Sequence, residues 1–564
     1  MEPADRPQNR AAGPSSPARR SLMKAAGTAA AAAVGVTRNA GAQVVPVRSP
    51  FTTPWLQPLP VQAPLKPLDK LSPEPLLDVD RAGEECGRAT HPAFKDFAPK
   101  DFYEITAARG QHEFHPELPR QDVYGYNGQV PGPLFHARYG RPVLVRLRNN
   151  LPNLRRGYGS PDVSMHLHNM HTPSESDGYP VDWWSAFAYA GTLTRAGRFK
   201  DHHYPMIYAG NDEREALGTL WYHDHREDFT AGNVYGGMAG FFLAFDEIDS
   251  GDENDGDNDA LRLPSGEFDV PLMIGDKQFD SSGYLVFNQF DNDGFIGDKF
   301  LVNGKIQPFF HVAPRKYRFR LLVASTSRVF DLQLRYQDKV QTLTQISADG
   351  NVFTAPILRP NVQLGAAERA DIVVDFSKFP VGAEVFLTNR LAHLDGRKPE
   401  KEFLRTPVQL LKFIVDKPLR SPDNSRVLDA LRKQPDIDLG EVKKTRTFSF
   451  ARDGGAWTVN GKLFEDKRGV VVEKGTAEIW NLRNDSGGWA HPVHIHFEEG
   501  RVLKRNGGTP PPWERGRKDV YFLGPNESVS VFLRFRDFTG RYVMHCHNTI
   551  HEDHGMMIRY DIED

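Results

Sequence analysis

Val302-Asn303-Gly304-Lys305 and the run Tyr317-Arg318-Phe319-Arg320-Leu321-Leu322 behind it decide the fold. Asn-Gly between apolar residues is a strong hairpin signal, because both turn positions take positive φ. The run that follows alternates apolar and polar side chains, the period of a strand with one buried face. The same pair of signals occurs twice more: Tyr126-Asn127-Gly128 precedes Val143-Leu-Val-Arg-Leu-Arg148, and Val459-Asn460-Gly461-Lys462 precedes Ala477-Glu-Ile-Trp-Asn-Leu482. The turns stand 176 and 157 residues apart, so the chain reads as three copies of one β-sandwich. An all-β protein is expected, with sandwiches at 96–248, 264–420 and 440–564.

The rest of the 564 residues is read around these units. Nine prolines between 46 and 75 make 43–95 an extended arm laid over the surface. The acidic run 246–259 does not fit the spacing of a calcium-binding EF-hand loop and is expected to be a solvated linker. Residues 417–442, rich in charge and proline, form a second linker. Arg19-Arg20, the Ala-rich stretch 25–36 and Ala40-Gly41-Ala42 make 1–42 a twin-arginine export signal. The mature protein is therefore expected in the periplasm or outside the cell. Lys+Arg 70 against Asp+Glu 73 excludes a polybasic nucleic-acid binder. No later apolar run approaches the 18 or so residues needed to span a bilayer. Two cysteines, Cys86 and Cys546, give no disulfide framework.

Function is written in the histidines. With 20 in the chain, chance gives fewer than one His-x-His pair, yet there are four: His166/His168, His223/His225, His494/His496 and His545/His547. On a strand, residues i and i+2 share a face, so each pair offers two imidazoles to one site. Neutral imidazole is a common ligand of copper and zinc. Two pairs fall in the first unit and two in the third, so a metal cluster clamped between these sandwiches is expected, with the middle one as spacer. Cys546, His491, His551 and Met556 add a thiolate, two imidazoles and a thioether, the donor set of a blue-copper electron-transfer site. His545 and His547 flank Cys546, so one residue of backbone joins that site to the cluster.

These motifs resemble those of the multicopper oxidases, over residues 100–564. His166-Leu-His-Asn-Met-His-Thr-Pro-Ser-Glu-Ser-Asp-Gly178, Leu220-Trp-Tyr-His-Asp-His225 and His551-Glu-Asp-His-Gly-Met-Met557 look most like the spore-coat laccase and phenoxazinone synthase branch. Gly197-Arg-Phe-Lys-Asp-His-His-Tyr-Pro205 and Ala216-Leu-Gly-Thr219 lean toward phenoxazinone synthase. Asn169 stands where many relatives carry Gly. The resemblance implies cupredoxin-like Greek-key sandwiches and four coppers per chain. A type 1 copper would take His491, Cys546, His551 and Met556. A type 2 copper would take His166 and His494, and a type 3 pair His168, His223, His225, His496, His545 and His547. It implies that O2 is reduced to water by electrons from a small aromatic reductant, a phenol or o-aminophenol, with Glu552 and Asp177 relaying protons. Bilirubin is an alternative reductant, as are Cu(I), Fe(II) and Mn(II). The ten methionines form no cluster, which counts against a cuprous oxidase. A nitrite reductase would not need all four His pairs, nor a zinc protein the Cys–Met axis. A homo-oligomer would fit the phenoxazinone synthase likeness. Loops 390–404 and 500–516 are expected over the type 1 site. His171, His202, His203 and His554 are expected to be surface or supporting histidines, Asp224 to point away from the cluster, and Trp183, Trp184 and Trp489 to pack as core. Cys86 is expected to be a free thiol.

Overall fold

The computed structural model describes residues 48–79, 84–153, 158–185, 187, 193 and 195–564. The export signal expected at 1–42 lies outside them. In each unit a long first strand runs parallel to the strand that follows the Asn-Gly turn. The pairs are Asp101–His112 with Val143–Asn149, Asp269–Phe279 with Lys316–Val323, and Val442–Asp453 with Thr476–Asn484. Parallel neighbours require a crossover, here through the opposing sheet. Asn127, Asn303 and Asn460 all adopt φ of 49–55°. Each asparagine side-chain oxygen accepts the backbone N–H of the long strand, from Thr106 (2.8 Å), Met273 (2.7 Å) and Ser449 (2.7 Å). The residue that makes the turn thus also pins it to the sheet.

The first sandwich packs the sheet Gln121–Tyr126, Asp101–His112, Val143–Asn149, Phe199–Tyr204 on the sheet Gly132–Arg138, Ala239–Phe245, Thr219–Asp224, Met165–His168. Strands between 269 and 415 form an eight- and a six-stranded sheet, and those between 442 and 563 a six- and a five-stranded sheet. Each unit closes over its own apolar core, around Val145, Phe319 and Trp480 respectively. Among the described residues no helix is long and apolar enough to cross a membrane.

Three expectations change. In the first two units the alternating strands do not leave all of their polar side to water. Arg146 is buried against Asp201 and the Pro73 carbonyl (2.8 and 2.9 Å). Arg318 and Arg320 are buried against Asp249, Asp371 and Asp269. Nor is 246–259 merely a solvated linker: Asp246 pairs with Arg432, Asp249 with Arg318 and Glu253 with Arg315, all at 2.6–2.9 Å. Those three carboxylates cross a face of buried arginines, while Glu247, Asp252, Asp257 and Asp259 are exposed as a linker would have them. Likewise Val427, Leu428 and Leu431 of 417–442 pack against Leu261, Leu263 and Ile346. The arm does run across the surface, bonding Leu59 N–H to Phe309 O and Leu65 N–H to Leu134 O (both 2.7 Å), but Leu59 is buried in the second core.

Arg318→Met is expected to leave Asp249 and Asp371 buried without their shared cation. Removing one partner of a buried pair costs about 3–5 kcal/mol. Calorimetry should show the midpoint of the middle domain falling; an unchanged midpoint would mean that these pairs contribute nothing net.

Candidate metal centre

Strand register explains how one short sequence serves two sites. His491–Ile495 pairs antiparallel with Gly540–Cys546, setting Val493 opposite Cys546 and His494 opposite His545. His491, Val493 and Cys546 therefore face the third core, while His494 and His545 face outward. In the first unit His166 lies opposite His223 and His168 opposite Trp221. Met165, Leu167 and Tyr222 point into that core and the histidines point out. Two sandwiches thus present imidazole-bearing outer faces to each other.

The faces meet at close range. His225 Nε2 lies 3.2 Å from His496 Nε2 and 3.1 Å from His545 Nε2, which are 3.2 Å from each other. His166 Nε2 is 3.4 Å from His494 Nε2. The rings of His168 and His494 stack at 3.7 Å, and those of His166 and His496 at 3.9 Å. The His547 ring centroid is 5.2 Å from those of His168 and His223. All eight side chains are buried. Burial lowers the pKa of His166, His168, His494, His496 and His547 well below the usual value, and of His223 and His225 to about 3.

The tautomers follow from the outer nitrogens. Nδ1 of His166 donates to the Asp177 carbonyl, that of His223 to the Asp224 carbonyl (2.8 Å), that of His494 to the Asp519 carbonyl (2.9 Å) and that of His496 to Asp177 Oδ2 (2.8 Å). A neutral imidazole has one N–H. The Nε2 atoms of His166, His223, His494 and His496 are therefore bare lone pairs, mutually repulsive unless a cation sits among them. His168 is reversed: its Nε2 donates to Asp519 Oδ1 (2.9 Å), leaving Nδ1 buried without a partner. His223 Nε2 and both His547 nitrogens are likewise unpartnered. This donor set fits a metal cluster.

The second group is the triangle His491 Nδ1, Cys546 Sγ and His551 Nδ1, with sides of 3.3, 3.7 and 3.2 Å. Met556 is buried in the same core, and its carbonyl accepts the Cys546 N–H at 3.0 Å. Burial pushes the Cys546 thiol well up, so a thiolate exists here only against a cation. His491 Nε2 lies 2.8 Å from Ser486 Oγ, and His551 Nε2 lies 3.2 Å from the Asp293 carbonyl. Trp457 packs on His551 at 3.9 Å.

Both expected relay carboxylates touch the cluster. Asp177 holds His496, and Glu552 lies 3.1 Å from His545 Nδ1 and 3.4 Å from His225 Nδ1. Burial raises the Asp177 pKa well above the carboxylate range. At Glu552 burial also pushes up, but His545 and His225 together carry the pKa below its usual value.

Other residues sort by contact. Asp224 points to Ser164 N–H (2.9 Å) and Asn233 Nδ2 (2.8 Å), and burial raises its pKa to about 7. His171 pairs with Asp537, while His203 and His554 bond to the Phe97 and Ile550 carbonyls. His202 is buried with both ring nitrogens unpartnered, not a surface histidine. Trp184 and Cys86 lie in the first core, and Arg226 covers Trp183 at 4.2 Å. Trp489 lies instead at the rim of the Cys546 triangle, with the guanidinium of Arg452 4.5 Å from its ring.

Of the two expected loops, 390–404 lies at this rim: the Arg397 carbonyl accepts the Ala490 N–H at 2.8 Å. Loop 500–516 packs elsewhere, Trp513 lying 3.9 Å beneath the Arg359 guanidinium of the middle unit. The cover that spacing missed is the loop carrying Asp293, which pairs with Arg397 and Arg452.

Family models described as multicopper oxidase match residues 108–185 and 436–564. A bilirubin oxidase of Albifimbria verrucaria is 35% identical, over 82% of this chain and 76% of its own. A laccase of Bacillus subtilis is 32% identical, over 82% of this chain and 95% of its own. A multicopper oxidase structure from Aquifex aeolicus superposes with a TM-score of 0.69 at 27% identity, covering 83% of this chain and 97% of that one. The lone-pair cluster, the Cys–His triangle and these relatives agree, and the chain belongs to the bacterial laccase-like multicopper oxidases, all-β cupredoxin-like oxidoreductases that use copper and O2.

Proposed function

We propose that the chain carries four coppers and oxidises small aromatic reductants one electron at a time. The type 1 copper falls to His491, Cys546, His551 and Met556, and the type 2 copper to His166 and His494. The type 3 pair falls to His168, His223, His225, His496, His545 and His547. The observation that carries this is the convergence of buried imidazole nitrogens at 3.1–3.4 Å, one residue from a buried cysteine. Copper, when bound, supplies the one-electron redox steps that deliver four electrons to one O2.

The protein must route those electrons and four protons. Cys546 shares its backbone with His545 and His547, so an electron needs no mobile carrier. Glu552 and Asp177 stand within hydrogen-bonding range of cluster imidazoles, where a carboxyl group can pass protons inward. Electrons enter at the rim. His551 is fully buried beneath the Asp293 peptide, so a reductant docks one peptide layer away. Phe290 and Leu394 are exposed on the two loops there, and Arg397 and Arg452 flank Trp489. That lining suits an aromatic ring, phenol or aminophenol, and favours one bearing an acid group. Bilirubin, with two carboxylates, is a second reading on the same guanidiniums. A metal-ion substrate is disfavoured at Asp293 itself, which is already paired with two arginines. We also propose that Arg19-Arg20 directs export of the folded, metal-loaded chain to the periplasm or beyond.

Elemental analysis of fully loaded protein should find about four copper atoms per chain, and oxygen uptake should be faster with a carboxylated phenol than with its neutral analogue. Markedly less copper, or a different metal, would sink the assignment. Equal rates would sink the acid preference alone.

A further inference from the structure

We propose that Arg369, from the middle sandwich, is a positioning residue for the cluster: it fixes Asp519 so that His168 presents Nδ1, not Nε2. The proposal rests on the copper assignment above.

Among the cluster imidazoles tied down through an outer nitrogen, His168 is the one held through Nε2. Its partner, Asp519 Oδ1, is buried, 2.9 Å away and on the third domain. With Nδ1–H instead, His168 would set a lone pair against a carboxylate and a proton toward the metals. The Nε2 tautomer therefore requires an acceptor at that point, and here it is the Asp519 carboxylate. The Asp519 carbonyl also takes the Nδ1–H of His494, so this one residue orients histidines from both faces.

Within the third domain that carboxylate has a side-chain hydrogen bond to Glu499, a single bond to another carboxyl group, which does not fix its plane. Arg369 does, with two parallel bonds, Nη1 to Oδ1 (2.7 Å) and Nη2 to Oδ2. The fork geometry fixes the carboxylate plane as a single ammonium would not. The same guanidinium donates to the carbonyls of Ala367 (3.2 Å) and Asp349 (3.1 Å) in its own domain. It also reaches Thr219 O (3.3 Å) at the start of the strand that carries His223. One fully buried side chain thus touches all three domains. Asp349 reinforces the grip, its carboxylate accepting Lys518 Nζ (2.8 Å) and the Val520 N–H (3.2 Å) on either side of Asp519. The middle unit is more than a spacer.

The test uses copper-loaded full chain, Arg369→Lys and Arg369→Met. Both variants should keep the blue type 1 colour and its bleaching by reductant, since no type 1 ligand is touched. Cluster copper should bind about 10–100-fold more weakly, the usual effect of losing a partner behind a metal-bound histidine. The type 2 electron paramagnetic resonance signal should change, and kcat should fall with KM for the reductant unchanged. Lysine should show the smaller change, and if the methionine variant fails to fold, lysine decides. A fully loaded parent beside variants with the same copper content, resonance signal and kcat would overturn the positioning role. A parent lacking cluster copper would overturn the copper assignment instead.

Discussion

Cys546→Ser is expected to give a folded, colourless protein whose oxygen uptake is lost by at least about a thousandfold, because electron entry and cluster reduction act as one unit. The hydroxyl replaces a thiol in a fully buried site beside His491 and His551. Burying a hydroxyl with a weak partner costs about 1–3 kcal/mol, which a chain with three separate cores tolerates. What the substitution removes is the one sulfur that can be both a soft ligand and covalently continuous with His545 and His547. Visible absorption and an oxygen electrode, read on the same preparation, check the result. A serine variant that stays blue would defeat the type 1 assignment.

Glu552→Gln has the next largest effect. Glutamine keeps a hydrogen-bonding side chain between His545 and His225 but cannot carry a proton. Proton transfer by a positioned group is worth about 10²–10⁴-fold, so kcat should fall by at least about a hundredfold with KM for the reductant unchanged. Under argon the reductant should still bleach the blue colour at the parental rate; on readmitting O2, its return should be slow. Rapid-mixing spectroscopy separates the two phases. A parental reoxidation rate would reduce Glu552 to a hydrogen bond that orients His545. Asp177→Asn should act in the same phase, and it also loosens His496, so copper content must be measured alongside.

Much of this was legible before any coordinates, for physical reasons. The Asn-Gly turns are local, each needing positive φ at the asparagine, and they recur with the fold. The His-x-His pairs are legible because a strand repeats every two residues, and the sheets do place each pair on one face. Contacts between distant segments carry no such period. Arg369 and Asp519 lie 150 residues apart on different domains, and no spacing announces them. Asp246, Asp249 and Glu253 looked solvated because their partners Arg432, Arg318 and Arg315 lie far along the chain. The cover over His551 is hidden in the same way: Asp293 comes from the neighbouring domain, and only the assembled interface shows it.

The pairing of Val493 with Cys546 beside His494 with His545 makes the two proposed metal sites a matter of odd and even numbers. Inserting one residue between 491 and 494 would turn His494 and His496 into the apolar interior, or His491 out of it, whereas inserting two would leave every ring on its own side. Length changes in this strand are therefore tolerable by parity before they are tolerable by size. Anyone moving this thiolate centre into another sandwich must count peptide steps from the sulfur, because the ligand identities alone do not say which surface each will reach.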